Sequence, residues 1–531
     1  MRSLHLQPFE YAVKQTNIYA VMPSYNEVDG VPAHRNKWML DHVLRKEWGF
    51  KGYVFSDYGG LSLLSDYHKV ARDRREAAQM ALDAGVDLEA PRTDIYYHLM
   101  SLYDDKLIHM SQIDTAVRRI LRAKFKAGLF EKQLPDTLAV ADKLRTVAHI
   151  NLAKKIADES IILLKNQDNL LPLNKDQVKS IAVIGPNANQ VQYGDYSYTR
   201  DNSSGVTVLD GIKKLGIPVY YEKGCSVTGS DTSGFLSAIM AVKKSDVAVV
   251  VLGESSAVLS GLGWGVGLGD NEPKDPFTGG EGYDVTDLNP MGVQRELLQA
   301  IYRTGKPVIL VTIHGRPWSI TWEADHIPAI LEAWYPGEQG GMSIADIIFG
   351  KVNPSGRLTV SVPRSVGHIP VTYDYKPGSR GYYKSSGTAE KPGRDYVFSS
   401  PEPLFCFGHG LSYTSFAYSN LRLDKTEFSP GEFVDITVDI QNVGACEGKD
   451  VVQLYIKDKI SSTTSPFMAL KAFSKISLKP SEKKTVTFRL SEEDFSIWNT
   501  EMKRILEVGE FQVMVGKASN AIQLEQTISF K

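Results

Sequence analysis

The chain has 531 residues, 42% hydrophobic and 23% charged, a length that predicts several domains because single cores rarely grow past about 250–300 residues. Lys and Arg number 60 against 62 Asp and Glu, a net charge of −2, so there is no basic field to draw in nucleic acid. Three cysteines, Cys225, Cys406 and Cys446, are too few and too scattered for a disulfide scaffold or a zinc cluster, and no apolar run approaches the roughly 18 residues that a membrane span needs.

In chain order, Met1-Arg2-Ser3 runs straight into Leu4, Leu6, Phe9, Ala12 and Val13, an amphipathic helical pattern without the apolar leader of a signal peptide. The chain reads as starting inside a folded element. Residues 1–135 then alternate short apolar runs at 18–24, 52–56 and 84–89 with helical stretches at 37–48, 74–83 and 113–130. That alternation predicts parallel βα units. A complete (β/α)8 barrel takes about 250 residues, so this segment is expected to hold only its C-terminal half.

A stretch around 136–147, after Pro135, reads as a linker or bridging helix. From 148 to 375 lie fully apolar runs at 180–184 (SIAVI), 247–252 (VAVVVL), 308–313 (VILVTI) and 329–333, with a helix near 292–302, predicting a second α/β domain with a mostly parallel sheet. Residues 376–417 lie in a Gly-, Pro-, Ser- and Tyr-rich stretch expected to form a connecting arm. From 418 the pattern shortens to period-two runs at 434–441, 451–456, 485–490 and 511–515, separated by turns such as Ser429-Pro430-Gly431, which predicts a seven-stranded β-sandwich.

The chemistry concentrates at residues 49–60 (GFKGYVFSDYGG). A buried strand over Tyr53–Phe55 breaks at Ser56-Asp57 and a glycine pair, setting a carboxylate at the carboxyl end of a strand, where parallel α/β folds bind ligands. The plainer reading is that Asp57 caps the following helix. A second carboxylate is sought on the long loop between the strand ending at Leu252 and the helix near Gly292. It carries a glycine-rich run at 261–269 and then Asp270, Glu272, Asp275, Glu281 and Asp284. That run is no nucleotide-binding motif: no helix opens after it and no Gly-Lys-Ser/Thr follows. The 11 histidines show no metal-binding spacing, and His68, His314 and His409 read as structural.

Taken together the motifs resemble glycoside hydrolase family 3 over essentially the whole length. They include Pro23-Ser24-Tyr25-Asn26 with Asp29-Gly30-Val31-Pro32, Leu44-Arg45-Lys46-Glu47-Trp48-Gly49-Phe50 leading into Ser56-Asp57, Trp334-Tyr335-Pro336-Gly337-Glu338, Asn353-Pro354-Ser355-Gly356-Arg357 and Phe407-Gly408-His409-Gly410-Leu411. The resemblance implies a partial (β/α)8 barrel, an α/β sandwich and a fibronectin-III-like β-sandwich. It implies a retaining exo-β-glycosidase with Asp57 as nucleophile, Glu281 as acid/base from the second domain, and Tyr25 and Tyr58 in the sugar pocket. Tyr58 stands where the family commonly has a tryptophan, and Asp284-Val285 replaces its usual Asp-Arg. Asp275 is the reserve acid/base candidate.

Burial beside a charged Asp57 would raise the pKa of Glu281 and keep it protonated near neutral pH. The family's earlier Asp, Arg and Lys-His pair are missing, as they would be in an N-terminally truncated fragment. The resemblance implies a β-linked carbohydrate substrate, with glucose expected and xylose or arabinose as the alternative, and neither metal nor organic cofactor. No nucleic acid and no membrane span are expected, a homodimer is left open, and a parent enzyme would be periplasmic or secreted. The contrasting expectation is an inert scaffold lacking half of the sugar pocket.

Overall fold

In the computed structural model residues 1–132, 136–194, 196–197, 204–256, 277–280, 283–378 and 385–531 are described. The chain divides into two units, Met1–Ala139 and Val140–Lys531.

In the first unit a helix over Gln7–Gln15 leads to strand β1, Ala20–Val21. Strands β2 (Glu27–Val28) and β3 (Val31–Pro32) form a hairpin whose central Asp29 and Gly30 have φ of 52° and 79°. Positive φ at both central residues is what a tight hairpin turn requires, and Asp-Gly supplies it at little cost. A helix of π type over Trp38–Glu47 follows, then β4, Tyr53–Val54, parallel to β1. The helix Arg74–Ala84 starts because the side chain of Asp73 accepts the Glu76 N–H, and it stops at Gly85, whose φ of 103° suits only glycine. Its buried face is alanine (Ala77, Ala78, Ala81), packed with Leu40, Leu44, Val54 and Leu64.

The run at 84–89 is corrected: Ala84 ends the helix, and only a single parallel bridge, Phe55 to Leu88, remains of the expected strand. The Val54 N–H facing that segment goes to the Asp87 carboxylate, at 2.8 Å, rather than to a backbone carbonyl. A side chain has taken the place of a ladder bond.

The second unit opens with a short helix, Val140–Lys143, followed by the helix Val147–Ser160, capped by Thr146, and then a six-stranded sheet. Its strands are β5 (Ile162–Asn166), β6 (Ile181–Ile184), β7 (Val219–Glu222), β8 (Val247–Gly253), β9 (Val308–Ile313) and β10 (Ala329–Glu332), in the order β5-β10-β9-β8-β6-β7. All pairs are parallel except β5 with β10. Every residue of β8 is buried because both faces are covered: Val249 and Val251 enter one core, Val250 and Leu252 the other. Gly253 ends that strand where an added side chain would strike the Ile313 carbonyl.

The connecting stretch ties down at both ends, Leu411 N–H to the Leu163 carbonyl and Phe467 N–H to the Tyr375 carbonyl, both at 2.8 Å. The sandwich that follows has a three-stranded and a five-stranded sheet. The first orders β11 (Phe416–Leu423), β13 (Val434–Asn442) and β16 (Lys483–Leu490). The second orders β12 (Glu427–Phe428), β20 (Ile522–Phe530), β19 (Gly509–Gly516), β14 (Gly448–Asp458) and β15 (Ala469–Leu478). A separate hairpin pairs β17 (Ile497–Trp498) with β18 (Arg504–Ile505). The two sheets hold eight strands, not the expected seven, because β12 is a two-residue edge strand too short to show an alternating pattern.

Candidate active site

Asp57 sits at the carboxyl end of β4, and three hydrogen bonds carry the backbone to it: Tyr53 N–H to Tyr19 O, Phe55 N–H to Val21 O and Ser56 N–H to Leu88 O. Beneath lies a buried charge cluster. Asp87 accepts from Arg45 Nη2 at 2.7 Å and Arg119 Nη1 at 2.8 Å, besides Val54 N–H, while Arg45 Nη1 donates to the Gly52 carbonyl at 2.9 Å. Burial lowers the Arg45 pKa to about 10, opposed by the Asp87 charge, and the guanidinium stays ionised. The strand that presents Asp57 is thus gripped on one edge by β1 and on the other by a carboxylate between two guanidiniums.

At the site itself Asp57 Oδ1 accepts from the Tyr25 hydroxyl at 2.9 Å and from the Tyr58 N–H at 2.7 Å. The Tyr25 hydroxyl also lies 2.9 Å from the Tyr58 carbonyl. No described residue donates to Oδ2. The capping reading fails: the next helix, Leu63–Asp66, has Ser62 at its N-cap, and the Asp57 carboxylate is engaged by Tyr25 and Tyr58 instead. Tyr58 is 65% exposed and Tyr25 36%, so both present aromatic surface beside the carboxylate. An aromatic face beside a carboxylate with one oriented oxygen, and no donor to the other among the described residues, is a fitting sugar-binding element.

His34 belongs to the same site and was not singled out from the sequence. Its Nε2 accepts the Asp57 N–H at 3.2 Å, which places the ring proton on Nδ1. Burial pushes its pKa down to about 4, with the Asp57 charge opposing and His68 adding to the shift, so the ring is neutral near pH 7. Gly60 passes where any side chain would strike that ring. The only sequence signal was position, a histidine just after the Asp29-Gly30 hairpin. His68 Nε2 donates to the Tyr25 carbonyl at 2.9 Å and so buttresses the site, whereas His409 Nε2 donates to the Leu164 carbonyl at 2.9 Å and is structural. His314 lies 3.0 Å from Glu332 and stacks on Trp318.

Glu281, the reserve Asp275, and Asp270 and Glu272 lie outside the described residues, as does the glycine-rich run 261–269. Among the described residues no group of three or more His, Cys, Asp or Glu could hold a metal ion, and no helix is long and apolar enough to cross a membrane.

Residues 1–123 match the glycosyl hydrolase family 3 N terminal domain, residues 161–413 the glycosyl hydrolase family 3 C-terminal domain, and residues 450–519 a fibronectin type III-like domain. The chain is 40% identical to a β-xylosidase of Formosa agariphila, covering 99% of this chain and 71% of the relative. It is 35% identical to a periplasmic β-glucosidase of Salmonella typhimurium, covering 95% of this chain and 66% of the relative. Among solved structures, a β-glucosidase from Listeria innocua in complex with glucose superposes with a TM-score of 0.87 at 32% identity, over 98% of this chain and 68% of that one. A β-glucosidase from Erythrobacter marinus gives 0.89 at 37%, over 99% and 69%. The chain thus spans about two thirds of the length of the relatives it matches. It belongs to glycosyl hydrolase family 3, a family of glycoside hydrolases.

Proposed function

We propose that the protein is a retaining exo-β-glycosidase that releases a terminal β-D-glucose from a β-linked oligosaccharide or glucoside by double displacement. The observation that carries this reading is the asymmetry of Asp57: Oδ1 is held by Tyr25 and Tyr58 while Oδ2 has no described donor. In the first step an Asp57 oxygen bonds to the anomeric carbon as the bond to the leaving oxygen breaks, and Glu281 gives that oxygen its proton. In the second, Glu281 takes a proton from water, the water oxygen bonds to the anomeric carbon, and the Asp57 carboxylate is released. Retention requires the two carboxyl groups about 5–5.5 Å apart. No step calls for a metal or organic cofactor.

The second reading, a β-xylosidase, is favoured by the name of the 40% identical relative. Xylose lacks the hydroxymethyl group of glucose, so a pocket that fills the space around that group separates the two. The periplasmic location in the name of the Salmonella typhimurium relative supports a parent enzyme acting outside the cytoplasm. The test is hydrolysis of 4-nitrophenyl β-glucoside and β-xyloside by the purified chain, with Asp57→Asn as control and the anomer of the first product followed by NMR. Release of β-glucose well above the control supports the reading. Equal rates in chain and control would establish the inert scaffold instead, and a faster xyloside would shift the substrate.

A further inference from the structure

A parallel ladder advances by a regular step, and β4 keeps that step against β1. The Tyr53 N–H donates to the Tyr19 carbonyl at 3.0 Å and the Phe55 N–H to the Val21 carbonyl at 3.1 Å. The same step would carry the Asp57 N–H to the Pro23 carbonyl. It goes instead to His34 Nε2, at 3.2 Å. A backbone donor turned away from water is costly to leave unpaired, and the imidazole takes over the bond where the strand ends.

His34 is fixed for this task. It sits in the 3-10 turn Ala33–Arg35 that follows the β2–β3 hairpin. The Ala33 N–H donates to the Asn26 carbonyl at 3.0 Å, and the Asn36 N–H to the Ala33 carbonyl at 3.2 Å. The side chain is buried, and Gly60 passes so close that a Cβ there would lie 2.4 Å from His34 Cε1 and Nε2. Gly60 also closes the other side of Asp57, its N–H donating to the Asp57 carbonyl at 3.0 Å. Both backbone groups of Asp57 are therefore engaged, apart from the contacts of Tyr25 and Tyr58 with its carboxylate. Burial, opposed by the Asp57 charge and reinforced by His68, holds the His34 pKa at about 4, so Nε2 keeps a lone pair to offer near neutral pH.

We propose that His34 is a positioning residue for Asp57: by accepting its N–H, the imidazole sets the backbone from which the carboxylate approaches the anomeric carbon. This rests on the reading of Asp57 as nucleophile. Nε2 bonds to the main chain and not to the carboxylate, so its effect is transmitted through the backbone. Asp57 has a short side chain, and a shift of its amide is passed on to both oxygens. Misplacing a reacting group by about 1 Å can cost roughly 100-fold in rate.

The test uses the full chain and 2,4-dinitrophenyl β-glucoside. His34→Leu removes the acceptor at similar size, and His34→Gln restores one near the place of Nε2. His34→Leu is expected to lower kcat roughly 10- to 100-fold with KM changed by under about 3-fold, and His34→Gln to recover most of that loss. No loss, or a loss that Gln does not recover, overturns the proposal. The discriminating background is Asp57→Gly supplied with azide, which forms the bond to the anomeric carbon as dinitrophenolate leaves, giving α-glucosyl azide. There the carboxylate to be positioned is gone, and adding His34→Leu should change the rescued rate by under about 3-fold. An equal loss in both backgrounds marks a merely structural residue and overturns the proposal. Rescue by azide upholds the nucleophile reading whatever His34 does, whereas absence of rescue defeats that reading and the positioning role with it. Hydrogen exchange gives a readout independent of turnover: peptides covering 53–60 should exchange faster in His34→Leu and near the native rate in His34→Gln, and unchanged exchange in His34→Leu overturns the proposal.

Discussion

One oxygen of Asp57 is oriented by Tyr25 and the Tyr58 N–H and the other has no described donor, a division of labour that suits the nucleophile proposed for it. Hydrogen bonds to a charged group are worth about 1.5–3 kcal/mol, so Tyr25→Phe should lower kcat/KM by roughly 10- to 100-fold while leaving the melting temperature nearly unchanged. Steady-state kinetics beside a thermal melt checks both halves. His34 adds a pH signature. Its folded pKa of about 4 lies below the ordinary 6.5, so between those values the unfolded chain binds more protons. Stability should therefore fall as pH drops from about 6.5 to 4, with a slope of at most about 1.4 kcal/mol per pH unit. Replacing it, as in His34→Asn, should flatten that part of a plot of melting temperature against pH. Asp57 was legible from sequence because a strand, a carboxylate and a glycine pair fall together. His34 was not, since its role arises from a fold that brings residues 23 positions apart into hydrogen-bond contact.

At the scale of elements, uniform apolar runs were the most legible feature. A strand covered on both faces, such as β8, has no reason to carry a polar residue. The run at 84–89 misled because its Asp87 is a buried ion-pair centre that displaces a backbone bond, and β12 was invisible because two residues carry no period. Another element-scale device joins the helix Val147–Ser160 to the sandwich. Glu159, near its end, meets Lys449 on β14 and Lys475 on β15, and Ser355 donates to it at 3.3 Å. Burial alone would raise its pKa, but the two lysines overcome that and hold it at about 2, below the ordinary 4.5. The stabilisation is present above pH 4.5 and lost as pH falls towards 2. Glu159→Gln should lower the melting temperature at neutral pH and remove that acid-side slope, as melts between pH 2 and 6 would show. Asp450, 1% exposed, accepts from Arg357 Nη2 at 2.8 Å and from the Tyr418 hydroxyl at 2.9 Å, and Asp450→Ala leaves a buried guanidinium unpaired. The expected cost is about 3–5 kcal/mol, measurable by urea unfolding.

At the scale of the molecule, the succession of βα units, parallel sheet and sandwich is what the changing period of apolar residues announced, and the family match places this chain among glycoside hydrolases. The sugar is less legible, because in the proposed mechanism the motifs around Asp57 serve chemistry at the anomeric carbon, whereas glucose and xylose differ at a remote carbon. A missing group of that size in a pocket is worth about 10- to 200-fold, so kcat/KM for the β-glucoside is expected to exceed that for the β-xyloside by at least roughly 10-fold. The central claim, that Asp57 attacks the anomeric carbon, is tested most directly by trapping the glycosyl-enzyme. The chain is incubated with 2,4-dinitrophenyl 2-deoxy-2-fluoro-β-D-glucoside, digested and read by mass spectrometry. The account predicts one fluoroglucosyl adduct on the peptide carrying Asp57, absent in Asp57→Asn. An adduct on another carboxylate, or none at a probe concentration that labels an active family member, would contradict it.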